Sequence, residues 1–99
     1  EMNMVKTNIY NLKEDLKKKN YNECNLILHN KIKELLVLEI KKHKPDFVYS
    51  NMNDLKNKCI ELLDENLSDI AIDFYVVSIT DEEPIYELSV LIDLYEKLC

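Results

Sequence analysis

A chain of 99 residues makes one domain with a modest core, and its 46% hydrophobic and 32% charged residues exclude a disordered polymer. Nineteen acidic against thirteen basic side chains leave a net charge of −6, and every basic one is lysine; this argues against a protein that holds DNA or RNA through phosphates. Glycine is absent, so tight hairpin turns would rest on asparagine alone, and the balance tilts toward helix.

Residues 1–3 are expected to be disordered or foreign to the domain. Val5, Ile9, Leu12 and Leu16 then recur every three or four residues, which predicts a peripheral helix over 4–19 with one narrow apolar stripe. The Asn20-Tyr21-Asn22 segment interrupts it. A second helix is predicted from Tyr21 to Lys42. Cys24, Ile27, Leu28, Ile32, Leu35 and Leu38 share one face, and Leu26, Val37 and Ile40 are assigned to the opposite one, as in a helix sandwiched in a core. Lys41, Lys42, His43 and Lys44 complement its C-terminal dipole, and Pro45 ends it because the residue before proline avoids the helical region.

Phe47, Val48 and Tyr49 fall in a connection expected to plug the end of the bundle. Ser50 or Asn51 can cap a third helix whose stripe is Met52, Leu55, Cys59, Leu62, Leu63 and Leu67, with a kink or new cap at Ser68 or Asp69. Residues 70–79 are rich in β-branched and aromatic side chains, which favour strand. They lack clean alternation, and a lone strand would have no partner, so helix is the preferred reading and strand the alternative. Thr80 and Glu83 have capping-box spacing, and Pro84 suits a first helical position. The final helix sets Ile85, Leu88, Leu91, Ile92, Tyr95 and Leu98 on a broad face, with a second stripe at Tyr86, Val90 and Leu94. The sum is an all-α, antiparallel four- to five-helix bundle spanning 1–99 as one domain.

Candidate chemistry is sparse. Cys24, Cys59 and Cys99 are odd in number, lie in apolar-periodic segments and read as buried thiols of a reducing compartment, the cytoplasm. Cys24 and His29 are about 140° apart around a helix, so they do not share a metal-binding face. His29 is placed on the polar side of its helix and His43 at its end. Asp81, Glu82 and Glu83 sit at a helix start, where the dipole explains them without catalysis. Lys17 to Lys19 and Lys41, Lys42 and Lys44 read as solvated helix ends. No segment has the roughly 20 apolar residues of a membrane helix. These features predict no enzyme, no metal and no cofactor.

Lys17-Lys18-Lys19-Asn20-Tyr21-Asn22-Glu23-Cys24 resembles the place in the HEPN family (higher eukaryotes and prokaryotes nucleotide-binding) where a first helix ends and a tyrosine opens a long second one. Lys33-Glu34-Leu35-Leu36 is similar to the charged-then-apolar stretch that follows, and the resemblance continues through Pro45–Leu63, Ile70–Pro84 and the last helix. Family members that cut RNA carry an arginine and, a few residues on, a histidine late in the fold. This chain has no arginine, and both histidines fall in its first half. The resemblance therefore implies a non-catalytic member, commonly dimeric, that partners a nucleotidyltransferase or belongs to a toxin–antitoxin pair.

In a terminal helix the second stripe has few internal partners left, so Tyr86, Val90 and Leu94 are the candidate partner-binding residues, for a second copy or another protein. The competing reading is that the stripe covers a neighbouring helix of the same chain. An acidic inhibitor or decoy of a basic protein surface is a third expectation, permitted by the charge.

Overall fold

The computed structural model describes residues 20–99; the helix predicted over 4–19 lies outside them. Four helices follow: α1 (Tyr21–Lys41), α2 (Met52–Leu62), α3 (Glu65–Ile79) and α4 (Pro84–Leu98). No strand occurs among the described residues, and the fold is an all-α bundle.

Three helix starts are built alike. The side-chain oxygens of Asn20, Asn51 and Asp64 accept from the backbone N–H of Glu23, Asp54 and Leu67 at 2.8, 2.9 and 2.9 Å, each satisfying a donor that has no partner within its helix. Asp54 in turn accepts from Ser50, so both candidate cap residues contribute at the start of α2. Replacing Asp64 by alanine should cost about 1 kcal/mol of stability, read as a lower urea midpoint at unchanged slope.

The glycine-free composition shows at the other ends. No described residue has positive φ, and the caps of α2 and α3 at Leu63 and Thr80 are extended. Thr80 does not open a capping box. Its hydroxyl donates back to the carbonyl of Val76 and closes α3, while Glu83 caps α4 with no side-chain bond and Pro84 follows at the first turn. The four-residue connection is short enough that the threonine is drawn to the helix behind it.

The break predicted at Ser68 or Asp69 lies at Leu63–Asp64. The Ser68 hydroxyl donates to the carbonyl of Cys59 at 3.2 Å, which ties α3 back onto α2. Lys56 sits 4.4 Å over the Tyr75 ring further along the same pair, so α2 and α3 run antiparallel. Residues 70–79 are helical. Ile70, Ala71, Phe74 and Val77 are buried at helical spacing, and that packing overrides their strand propensity.

α3 and α4 also run antiparallel, with Asp73 and Val77 beside Leu94 and Val90. α1 and α4 lie side by side in the same sense: Asn25 reaches Pro84 near both starts, and Leu35 and Leu38 flank Leu98 near both ends. The linker 42–51 permits this by returning along α1, with Tyr49 beside Asn30 and Val37. Phe47 is buried and stacks on Tyr49, whereas Val48 is 88% exposed and plugs nothing.

The buried row of α1 is Cys24, Leu28, Ile32, Leu36 and Ile40, one residue every four. This corrects the two-sided reading. Ile40 belongs to the same row as Cys24, and Leu26 and Leu38 are 62% and 59% exposed. A row of every fourth residue slants across the helix surface, so it turns through some 160° from Cys24 to Ile40 as it follows crossing neighbours.

Candidate functional site

α4 buries Leu88, Leu91, Leu94 and Tyr95, and this arc decides the fate of the second stripe. Leu94 is 2% exposed and belongs to the core, packed toward α3. It cannot be offered to a partner, and its assignment as a contact residue is corrected on that ground. Val90 is partly buried against the core. Tyr86 is 57% exposed. The stripe descends from surface to core along the α3–α4 seam, so the competing reading describes its C-terminal end.

Along that seam runs a shallow groove. Val76 of α3 and Tyr86 and Val90 of α4 form its apolar floor over the buried Val77 and Leu94, with Thr80 at the turn end. Asp73, Glu82 and Asp93 line its rim. Asp93 shares its charge with Lys97, 3.1 Å away, whereas Asp73 and Glu82 meet no lysine among the described residues. Sequence reasoning located the α4 half of this groove. It missed Val76, half exposed, because a strand-like run hides which of two adjacent valines faces out.

A second cluster lies where α1, α3 and α4 meet. His29 is not on a solvated face: its ring centroid stands 5.0 Å from that of Phe74, tilted by 44°. Its Nε2 is 3.7 Å from Glu87 Oε1, an electrostatic contact too long for a hydrogen bond. Burial pushes the imidazole below its ordinary 6.5, Lys33 adds to that, and Glu87 opposes it. One turn earlier Asn25, nearly fully buried, donates its Nδ2 to the Pro84 carbonyl at 3.0 Å and has no partner for its Oδ1 among the described residues. These contacts fix the start of α4 against α1.

The sign of the pH effect follows. Between 6.5 and the folded value the unfolded chain binds the proton that the fold refuses, so stability falls as pH drops below 6.5 and is unaffected by this group above it. Urea unfolding from pH 7 down to the carboxylate range should show that decline, and a His29→Gln variant should flatten it. An unchanged slope would mean that the ring is solvated.

Cys24 and Cys59 are buried as expected, but Cys99 is exposed at the end of α4 and is corrected to a surface thiol. Burial raises the Cys59 thiol to about 11, so little thiolate exists near neutrality. A thiol reagent should therefore modify Cys99 within the mixing period and reach Cys24 and Cys59 only as the fold opens; three equally fast thiols would contradict the packing. Asp81, Glu82, Glu83 and His43 are exposed. Among the described residues no three His, Cys, Asp or Glu side chains converge as metal ligands, and no helix is long and apolar enough to cross a membrane.

Further surface depressions, as open to solvent as the seam groove, are lined mainly by side chains of α1, the 42–51 linker and α2. The α3–α4 groove, at about 230 Å³, falls below the roughly 300–1,000 Å³ of small-molecule pockets. Comparison with protein-family models, with curated proteins and with solved structures finds no match.

Proposed function

We propose that the chain is a non-enzymatic protein-interaction module whose contact surface is the α3–α4 groove at Tyr86 and Val90. The observation that carries this reading is an apolar floor left half open by two well-packed helices, with a tyrosine more than half exposed upon it. Tyrosine is enriched among residues that dominate binding energy, because it adds large apolar area and a polar tip at low entropic cost. The raised Cys59 thiol and the ring-packed His29 support the non-enzymatic part, since neither is an activated nucleophile or an accessible base. In a Val76→Ser/Tyr86→Ser double variant the thermal unfolding curve should stay nearly unchanged while the partner, or the second copy, is lost from co-purification and sedimentation. Retention of every partner and of the native mass would remove the proposal.

A second reading keeps the resemblance to the HEPN family. It is favoured by the helical state of residues 70–79 and by the last helix packing antiparallel to its neighbour beside a groove. On this reading the partner is a nucleotidyltransferase or the other half of a toxin–antitoxin pair. Identification of a co-purifying protein with no role in nucleic-acid or nucleotide chemistry would discard it.

A further inference from the structure

Resting on the interaction reading above, we infer that the occupant of the α3–α4 groove is a basic amphipathic helix of another protein. Three features of the groove select it. The floor is apolar, and its length, from Asp73 and Leu94 to Thr80 and Tyr86, is about two helical turns. Such a seam between two antiparallel helices accepts a third helix that inserts side chains at i, i+3 or i+4, and i+7. The described residues present no sheet edge onto which an extended peptide could add.

The rim supplies the charge. Asp73 and Glu82 line the groove with no lysine upon them among the described residues, and of the three rim acids Asp93 is shared with Lys97. Lysines beside the apolar anchors of an incoming helix would meet these carboxylates on both sides. A second copy is disfavoured by the same geometry. Pairing this face with itself sets one acidic rim against the other, in chains that already carry −6 each, and like-charge juxtaposition opposes association.

The test uses the full chain, isotope-labelled, and two synthetic 15-residue helical peptides with the same leucine positions, one flanked by lysine and one by glutamate. The lysine peptide should shift the NMR signals of Val76, Tyr86 and Val90, and the glutamate peptide should not. An Asp73→Lys/Glu82→Lys variant should bind the lysine peptide about tenfold more weakly, as should raised salt. Equal binding of both peptides overturns the inference but leaves the groove a contact surface. So does dimerisation lost in Tyr86→Ser, whereas nuclear Overhauser contacts from Tyr86 to Val5, Ile9, Leu12 or Leu16 of the same molecule would remove the inference and the interaction reading together. A monomer in which neither peptide disturbs the groove removes the inference and the interaction reading together.

Discussion

Phe74→Ala should lower the unfolding free energy by about 3–5 kcal/mol, the cost of deleting a phenyl ring from a core that relaxes only partly. Phe74 is fully buried on α3, and its ring also forms the wall against which His29 of α1 packs. The deletion therefore opens a void between α1 and α3. A domain of this size has about 5–15 kcal/mol in all, so the variant should be marginal at room temperature. Urea denaturation would show a lower midpoint at nearly constant slope. Phe74→Leu, which keeps most of the volume, should cost less than about 1.5 kcal/mol. A loss below 1 kcal/mol for the alanine variant would mean that α3 does not close the core as described.

The second large effect separates the two ends of the α4 stripe. Leu94→Asp should destabilise by about 3 kcal/mol or more, because it removes core packing and buries a carboxyl group with no partner. Tyr86→Asp, two turns earlier on the surface, should change stability by no more than about 0.5 kcal/mol. Side by side in thermal unfolding, the pair tells whether a lost interaction reflects a lost surface or a lost fold. Leu94→Asp alone cannot, since any partner would disappear with the structure. Equal melting of the two variants would contradict the burial that distinguishes them.

Much of the fold is legible in the sequence where local and tertiary signals coincide. Pro84 and Pro45 bracket helices whose ends match the expected ones within a residue, and Asn51 caps where a side-chain acceptor is wanted. The misreadings share a cause. The apolar stripe runs unbroken from Cys59 through Leu62 and Leu63 to Leu67, so periodicity passes over the sharp bend at Asp64, although the Asp64-Glu65 pair is itself a helix-start signal. In α1 the positions 24, 28, 32, 36 and 40 are spread around a projected wheel, and only crossing neighbours make them one row. Thr80 has two helices within reach, and spacing alone cannot say which one it serves.

The candidate site was readable to the same degree. Amphipathicity on α4 marks Tyr86, Val90 and Leu94 as more than a single core face, yet how deep each one lies depends on the packing of the neighbouring helices, and burial rises from Tyr86 through Val90 to Leu94. The acids of the rim come from α3, the turn and α4. Their convergence is a product of the antiparallel pairing of α3 and α4 and has no counterpart in any one segment.

The most direct test places a photo-crosslinking amino acid at position 86 of the full chain, expressed in the cells it comes from, with position 48 as control. Val48 is the more exposed of the two but lies on the linker, away from the groove. Position 86 should give a discrete adduct to a lysine-rich helical segment of a second protein, and position 48 none. An identical, diffuse pattern from both positions, or no adduct from 86, would contradict it.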